Sequence, residues 1–390
     1  MRRCSKNTSA STRTIGSGCI AAGSTPGRAC RAQNRLWTAP VPEPSKVLVV
    51  QTAFLGDVIL TLPLVQALRK TFPFAQIDFL VVPKTASVLA NHPAIDKVLI
   101  FDKRGGDAGI GAFLRQVRTI RKRNYDTAIL PHRSIRSAAL VRMAKIPRRI
   151  GFNTSAGRIL LTDVVKYESL VHEVDRNLNL LNAFKVYYER PRIPELFPSD
   201  ADREAVDGLL RSAQHESGEA LIGIAPGTVW NTKRWIPERY ADLVRRLTSR
   251  GFWVVILGGG DDRRLLPLGE SPRVLNAAGR LTILQSAELI RRCRVLVCND
   301  SAPMHLAVAV RTPVVAIFGA TIPEFGFAPI GKNDVVLETK GLACRPCTSH
   351  GGDACPVKTF DCMMRISASQ ALEAVNKILG KSSRETWQKN

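Results

Sequence analysis

The fold is decided by the stretch Lys46-Val-Leu-Val-Val-Gln-Thr-Ala-Phe-Leu-Gly-Asp-Val-Ile-Leu-Thr-Leu-Pro-Leu-Val-Gln-Ala-Leu-Arg-Lys70. Its first residues are β-branched and aliphatic without polar alternation, which is typical of a strand buried on both faces. Gly56 permits a tight turn, and Leu60, Leu64 and Leu68 then recur at helical spacing. The stretch therefore predicts a strand, a turn and a helix, the unit from which a parallel sheet covered by helices is built.

Asp57 stands at the start of that helix. Its carboxylate lies beside unpaired backbone N–H groups and the positive end of the helix dipole, so we expect it to stay ionised near neutral pH. Ligands bind at the carboxyl edge of parallel sheets, which makes Asp57 a candidate catalytic base. A helix cap is the alternative, and the strand, turn and helix taken alone favour the cap.

Length and charge limit the classes of protein. The chain has 390 residues, enough for two domains, and no apolar run reaches the roughly 18 residues of a membrane-spanning helix. Seven basic residues and no acid lie in residues 1–42, and the remainder holds 49 basic and 33 acidic residues, a net charge of +16. Such a charge favours a polyanion: nucleic acid, an anionic membrane surface or a phosphorylated substrate.

The nine cysteines are too few for a disulfide scaffold in a chain of this length. Cys293 and Cys298 flank an apolar strand and are interpreted as reduced core residues, which indicates a reducing, cytoplasmic compartment. Four others cluster in a Cys-rich loop, 344–362. Its first pair has metal-ligand spacing, but the second pair does not. The loop is interpreted as reduced and structural, with a zinc site as the alternative.

The chain divides into three predicted parts. Residues 1–44 have no apolar periodicity and are interpreted as a disordered basic tail, although a transit peptide has a similar composition. Strands and helices alternate over residues 45–197 and again over 198–380, and a Pro-rich linker separates the two series. This pattern predicts two tandem Rossmann-like, doubly wound α/β domains that face a central cleft.

Individual elements are predicted as follows. In the first domain we expect strands at Val47–Gln51, Ile77–Val82, Lys97–Phe101, Thr127–Leu130 and Arg149–Gly151, and helices at Asp57–Phe72, Thr85–Asn91, Phe113–Arg123, Ser134–Ala144 and His172–Val186. Pro63 predicts a kink or a restart in the first helix. In the second domain we expect strands at Leu221–Ala225, Trp253–Leu257, Val295–Cys298 and Val314–Phe318, and helices at Pro237–Arg250 and from Met304.

Loops of the second domain indicate a diphosphate site. Gly227 lets backbone amides approach a ligand, Thr228 adds a hydroxyl donor, and Lys233 supplies a cation nearby. Asp300-Ser301-Ala302 opens a helix whose amides form an anion cradle, with His305 one turn further on. Neither domain has a G-x-G-x-x-G fingerprint after its first strand, which disfavours a dinucleotide-dependent oxidoreductase.

The combined motifs resemble glycosyltransferase family 9, the ADP-heptose:lipopolysaccharide heptosyltransferases. The matching residues are Gly56-Asp57-Val58 with Leu62-Pro63, Pro226-Gly227-Thr228, Lys233-Arg234-Trp235 with Glu238, Asp300-Ser301 through His305-Leu306-Ala307, and Phe318-Gly319-Ala320-Thr321. Cys344-Arg-Pro-Cys347 with Cys362-Met363 looks most like the heptosyltransferase II branch. The match runs from about Lys46 to Ala374. Ala302 and Ile236 depart from the family's usual Gly and Pro.

The resemblance implies a GT-B fold, an ADP-heptose donor, inversion at the anomeric carbon, and neither a cofactor nor a required metal. It gives Asp57 the role of base, and it gives Lys233 with the amides around Ser301 the role of stabilising the departing diphosphate. The donor contacts that it implies are Gly227, Thr228, Asp300, Ser301, Ala302 and His305. Gly258 and Gly259 either approach the nucleotide or only form a turn.

The resemblance also implies an acidic acceptor, the Kdo and heptose inner core of a lipid A precursor at the cytoplasmic leaflet. Arg133, Arg136, His172 and Arg176 are candidates for its acidic groups, or else belong to solvated helix faces. The basic surplus would hold the enzyme peripherally on the anionic inner-membrane surface. A relative that uses another nucleotide sugar or core acceptor is an alternative, and so is a basic protein that binds nucleic acid or a membrane. The 6% aromatic content disfavours a nucleic-acid partner.

Overall fold

The computed structural model describes residues 42–102, 109–264 and 271–387. Residues 1–41 of the predicted tail lie outside the described residues. The strands are β1 (Lys46–Val50), β2 (Gln76–Val81), β3 (Lys97–Ile100), β4 (Thr127–Leu130), β5 (Arg148–Phe152), β6 (Asp163–Val165), β7 (Leu221–Ala225), β8 (Trp253–Ile256), β9 (Val274–Asn276), β10 (Val295–Asn299), β11 (Val314–Phe318) and β12 (Val335–Glu338).

The helices alternate with these strands. They are α1 (Leu55–Thr71), α2 (Pro83–Ala86), α3 (Ile110–Arg121), α4 (Ile135–Met143), α5 (Glu173–Leu178), α6 (Asp200–Ser212), α7 (Pro237–Thr248), α8 (Ile283–Arg292), α9 (Ala302–Ala309), α10 (Asp361–Met364) and α11 (Ala368–Trp387). Short 3-10 segments lie at Ser87–Leu89, Arg158–Leu160, Asn179–Phe184, Asn231–Lys233, Gly260–Arg264 and Pro323–Phe325.

The strands form two parallel sheets of six strands each, in the orders β3-β2-β1-β4-β5-β6 and β12-β11-β10-β7-β8-β9. Each sheet has the Rossmann order, because its first strand lies in the middle beside its fourth. The strand order reverses between β1 and β4 in the first sheet and between β7 and β10 in the second. Ligands of open α/β sheets bind at such reversal points, so the loops after β1, β7 and β10 are where a site is expected.

Helix α1 is the element that joins the halves. All of its residues from Val58 to Leu68 are buried, since the helix packs against α5 of its own half and α9 of the second. A helix covered on every side is apolar all round, not amphipathic. The predicted restart at Pro63 does not occur, because α1 continues through that residue.

The other predicted elements are found within a few residues of their expected bounds. The helix predicted for His172–Val186 is instead α5 followed by a 3-10 segment, which ends where Lys185 turns left-handed at φ 56°. The predicted helix Thr85–Asn91 is likewise α2 plus one 3-10 turn. No helix among the described residues is both long and apolar enough to cross a bilayer. The predicted boundary between residues 197 and 198 stays a prediction.

Candidate functional site

The first turn of α1 and the first turn of α9 contact each other across the two halves. A Cβ placed on Gly56 would lie 2.9 Å from His305 Cδ2 and 3.4 Å from its Nε2. The glycine before Asp57 is therefore required by the close approach of a side chain from the second half. His305 is buried, and this burial lowers its pKa to about 4, so its imidazole is neutral at physiological pH.

Asp57 caps α1, as expected, because its Oδ2 accepts a hydrogen bond of 3.1 Å from the Phe54 N–H. Its surroundings also raise the pKa of the carboxyl. Burial is the largest cause, and the backbone hydrogen bonds and the positive charge of Lys233 oppose it. The sequence argument considered only the stabilising groups and missed this desolvation. A raised pKa favours a base, since proton transfer is most effective when the pKa lies near the working pH.

Lys233 forms an ion pair with Asp300, in which Nζ lies 2.6 Å from Oδ2. The same oxygen accepts a hydrogen bond of 2.7 Å from the Thr321 hydroxyl. Only 14% of the Lys233 side chain and 5% of the Asp300 side chain are exposed, so solvent screens the pair weakly. Sequence reasoning assigned both residues to the donor. The structure brings them together, and Lys233 keeps two N–H donors beyond the one that Asp300 uses.

Asn299 organises the second half's loops, and sequence reasoning did not single it out. Its Oδ1 accepts hydrogen bonds from the Trp235 N–H at 2.9 Å and the Tyr240 hydroxyl at 3.1 Å. Its Nδ2 donates to the Pro226 carbonyl at 2.8 Å. One buried amide thus connects the β7 loop, the Lys233 segment and the β10 loop. A polar residue that ends an apolar strand was the available signal.

Asp262 contacts three of the predicted glycines, and at two of them it leaves no room for a side chain. A Cβ on Gly227 would lie 2.3 Å from Asp262 Oδ2, and one on Gly258 would lie 2.5 Å from the same atom. The Gly259 N–H donates to that oxygen at 2.8 Å. Gly227 and Gly258 therefore make room for a carboxylate of the chain itself, whereas a Cβ on Gly259 would lie 3.8 Å from it, an ordinary contact. Their predicted contact with a nucleotide stays a prediction, as it does for Thr228, Ser301 and Ala302.

Two of the predicted acceptor residues link the halves. His172 Nε2 donates to the Ala328 carbonyl at 2.9 Å, and its Nδ1 accepts from the Val174 N–H at 3.2 Å, which fixes the neutral tautomer with the proton on Nε2. Burial lowers the pKa of His172 and favours that neutral form. Arg176 is 1% exposed and donates to the carbonyls of Ser169, Val171 and Phe325. The structure thus places Arg176 in the interior and not on an acceptor surface.

We call this contact the latch: His172, Glu173 and Arg176 bonded to the main chain of 325–328. Its third bond runs from the Glu173 N–H to the Gly326 carbonyl at 2.8 Å. The Glu173 side chain is buried and ion-paired with Arg176. Burial raises the pKa of Glu173 to about 7, Arg176 lowers it, and the charge of Asp57 raises it further. The candidate base thus acts electrostatically on a second carboxyl, which sequence reasoning missed.

The other two acceptor candidates lie in the loop and helix after β4. Arg133 is exposed and stacks over the Tyr167 ring at 4.4 Å. Arg136 lies over Phe101 at 5.1 Å. The structure keeps both near the edge that carries Asp57, and their role toward an acceptor stays a prediction.

The Cys-rich loop braces the Lys233 segment. The Thr232 N–H donates to the Gly352 carbonyl at 3.0 Å, and the Gly352 N–H donates to Thr232 Oγ1 at 2.8 Å. Its cysteines are free thiols, and burial raises the pKa of Cys362 to about 11. Among the described residues, no group of three or more His, Cys, Asp or Glu side chains is arranged to hold a metal ion.

Comparisons with known proteins show the family to which this chain is similar. The model of glycosyltransferase family 9 (heptosyltransferase) matches residues 113–356. Lipooligosaccharide heptosyltransferase 2 of Haemophilus influenzae is 27% identical over 354 residues, which cover 86% of this chain and 99% of the relative. Lipopolysaccharide heptosyltransferases 1 of Pseudomonas aeruginosa and 3 of Escherichia coli also match.

Solved structures show the same fold. The ADP-heptose LPS heptosyltransferase II of Escherichia coli matches with a TM-score of 0.71 and 25% identity, covering 87% of this chain and 99% of that one. An Escherichia coli heptosyltransferase solved with ADP-2-deoxy-2-fluoro heptose matches with a TM-score of 0.63 and 19% identity, covering 85% and 99%. The expected GT-B arrangement of two Rossmann-like halves is confirmed.

Proposed function

The chain belongs to glycosyltransferase family 9, the heptosyltransferases, and from that premise we propose that it transfers heptose from ADP-L-glycero-D-manno-heptose to the inner core of lipopolysaccharide, with inversion at the anomeric carbon. The added residue is the second heptose. Support for this step comes from the similarity to heptosyltransferase 2 enzymes of several bacteria. A relative that adds a different core sugar is the alternative, because heptosyltransferases 1 and 3 are similar as well.

One observation carries the proposal: a carboxylate from the first half approaches a cation from the second. Asp57 follows β1 at the reversal point of its sheet, and the Lys233–Asp300 pair lies at the reversal point of the other. Lys233 is close enough to lower the pKa of Asp57. This supports a reaction in which a proton acceptor of the first half and a diphosphate-binding cation of the second act together, as a direct sugar transfer requires.

The proposed reaction is a single displacement. Asp57 takes the proton from an acceptor hydroxyl while that oxygen forms a bond to the anomeric carbon of the donor. The bond between this carbon and the diphosphate oxygen breaks on the opposite face, and its electron pair leaves with ADP. Attack opposite the leaving group inverts the configuration.

Lys233 stabilises the charge that develops on the leaving diphosphate. Asp300 and Thr321 hold the ammonium in place, so little reorganisation is needed when the charge forms. The start of α9, at Ser301 and Ala302, directs backbone amides toward the same region. Because a fixed cation supplies this stabilisation, the proposal predicts equal rates in chelator and in magnesium.

The acceptor is acidic, which matches the chain's charge of +23. Arg133 is exposed beside the edge that carries Asp57 and is the candidate for a carboxylate of the acceptor. The proposed place of action is the cytoplasmic face of the inner membrane, where a lipid-linked core is held.

The test is a transfer assay. The protein is incubated with ADP-heptose and an inner core that already bears one heptose, and ADP release is followed together with the mass gain of one heptose. A core with Kdo but no heptose is the matched acceptor control, and UDP-glucose is the donor control. Transfer to the Kdo-only core, or from UDP-glucose at an equal rate, would contradict the proposed step.

A further inference from the structure

The loops after four strands of the first sheet expose large aliphatic side chains. Ile110, Ile135, Ile159 and Leu170 follow β3, β4, β5 and β6 and are 80%, 59%, 92% and 86% exposed. Ile110 and Ile135 begin α3 and α4, and Leu170 lies between β6 and α5, so these three lie at the edge that also carries Asp57. Ile159 lies in the crossover from β5 to β6, two residues after a turn that packs on the start of α4. Single exposed apolar residues are common, but four on neighbouring segments at or beside one edge form a patch. We call these four residues the rim.

The rim is held by the fold. Ile110 and Ile135 line an apolar cavity of about 390 Å³ together with Phe113. The turn before Ile159 packs on the start of α4, because a Cβ on Gly157 would lie 3.2 Å from the Ile135 Cα. The backbone segments that carry Ile135 and Ile159 therefore pack against each other.

Leu170 is held by a buried cation. Arg176 donates to the carbonyls of Glu168 at 2.8 Å, Ser169 at 3.1 Å and Val171 at 2.8 Å, on either side of the leucine. These bonds shape the loop around the guanidinium and leave the Leu170 side chain outside. The loop around the buried arginine thus presents an apolar side chain to solvent.

Basic side chains accompany the rim. Arg133, Arg158 and Lys166 lie in the same loops and are exposed, with Glu168 as an acid beside them. Aliphatic side chains next to basic ones match the interfacial region of an anionic bilayer, in which lipid phosphates lie above the acyl chains.

We propose that the rim docks on the surface of an anionic phospholipid bilayer, with its aliphatic side chains in the interfacial region. The inference rests on the proposed function, in which the acceptor is anchored in a membrane by its lipid. Docking along this edge would turn Asp57 toward the headgroups, where the sugars of such an acceptor lie.

The experiment is vesicle flotation of the full chain without acceptor or donor. Phosphatidylglycerol vesicles are compared with phosphatidylcholine vesicles. The variant is the triple substitution Ile110→Ser, Ile159→Ser and Leu170→Ser, with each single substitution measured beside it. The control is Phe74→Ser, since Phe74 is 99% exposed between α1 and β2 at the opposite edge of the same sheet.

We expect the wild-type protein and Phe74→Ser to float with phosphatidylglycerol vesicles, and the triple variant to lose partitioning by about tenfold or more. Transfer of heptose to a delipidated, water-soluble core would be unchanged in the triple variant. Equal flotation of the triple variant and the wild type would overturn the proposal, as would an equal loss in Phe74→Ser.

The same proteins distinguish the bilayer from two other ligands of the rim, a second copy of this chain and the acyl chains of the acceptor. Dissociation of a wild-type dimer in the triple variant, without vesicle binding by either protein, would assign the rim to a second copy and overturn the proposal. Unchanged flotation with a raised KM only for acylated acceptor would assign it to the acceptor's acyl chains and also overturn it. If no heptose transfer is found while flotation follows the expected pattern, the proposed function fails and the rim assignment stands.

Discussion

The contact between Gly56 and His305 predicts that Gly56→Ala disturbs both stability and turnover. The added Cβ would approach His305 Cδ2 to 2.9 Å, about half an ångström closer than ordinary contact. Gly56 does not have a positive φ, so alanine brings no backbone strain, and the whole effect is steric. His305 is 5% exposed, so a movement of its ring would displace packed neighbours.

The expected cost follows from overpacking. Inserting a methyl group into a packed contact costs about 1–3 kcal/mol, and we expect about 2 kcal/mol in the free energy of unfolding. The next residue is Asp57, so the displacement also moves the candidate base relative to the donor loops. A shift of about half an ångström there is expected to slow transfer by roughly tenfold or more.

The measurements are denaturant unfolding and steady-state ADP release. Gly208→Ala is the matched control, because a Cβ at that α6 position meets only the tip of Arg211 at 3.9 Å. That substitution should stabilise the protein by up to about 1 kcal/mol. In the double variant Gly56→Ala, His305→Ala the methyl group no longer meets the ring. Its loss in unfolding free energy should therefore be smaller than the sum of the two single losses, by about 1 kcal/mol or more. Additive losses, or a Gly56→Ala protein as stable as the wild type, would refute the steric argument.

Three further substitutions test the site. Asp57→Asn keeps an oxygen that can accept from the Phe54 N–H, so it should retain the cap and ADP affinity but abolish turnover in the ADP-release assay. Lys233→Ala leaves Asp300 buried without its cation, so we expect a loss of about 3–5 kcal/mol in unfolding free energy, with weaker ADP binding and slower transfer. Glu173, whose pKa is raised to about 7, binds a proton more tightly in the folded state. Its stabilising contribution, roughly 3 kcal/mol, is present below about pH 4.5 and is lost as the pH rises through 7, so Glu173→Gln should remove this part of the pH dependence of unfolding.

Each of these has an outcome that would contradict it, and Lys233→Ala also has a matched control. Unchanged turnover in Asp57→Asn would leave Asp57 as a cap only. Lys70→Ala removes an exposed ion pair of 2.7 Å with Glu189, which solvent screens, so it should leave both the stability and ADP binding nearly unchanged. Equal ADP affinity in Lys233→Ala and wild type would remove Lys233 from the donor site. Parallel stability profiles of Glu173→Gln and wild type from pH 4.5 to 7 would contradict the raised pKa.

Much of the fold could be predicted because its central strands carry their own signal. Thr127–Leu130, Leu221–Ala225 and Val314–Phe318 have the predicted bounds, since strands buried on both faces are continuous apolar runs. The outer strands β6, β9 and β12 are short and only partly buried, so their sequences show no such run. Their pairing comes from the neighbouring strand and not from local pattern.

Some missed elements did have a local signal. Helix α6 begins with a reciprocal cap between Ser199 and Asp202, and α8 with one between Thr282 and Gln285. The spacing of three residues in each is typical of a helix start and would have found both.

The electrostatics of the site could not be predicted from sequence. Burial of Asp57, the pairing of Lys233 with Asp300 and the coupling to Glu173 all depend on groups far apart in the chain. The same holds for Arg176, since an arginine one turn after His172 has the spacing of a solvated helix face. Only the packing of α5 against the second half puts it inside.

The latch has a consequence for how the two halves tolerate change. Its three acceptors are the main-chain carbonyls of Phe325, Gly326 and Ala328. Because side chains take no part in accepting these bonds, residues at these positions can be substituted without loss of the bonds. Gly326 is the exception, because it adopts φ +91° and a Cβ there would lie 2.4 Å from the Val171 carbonyl. In a chimera of this first half with the second half of a distant homologue, the latch bonds should therefore still form, provided that the homologue has a glycine at that position.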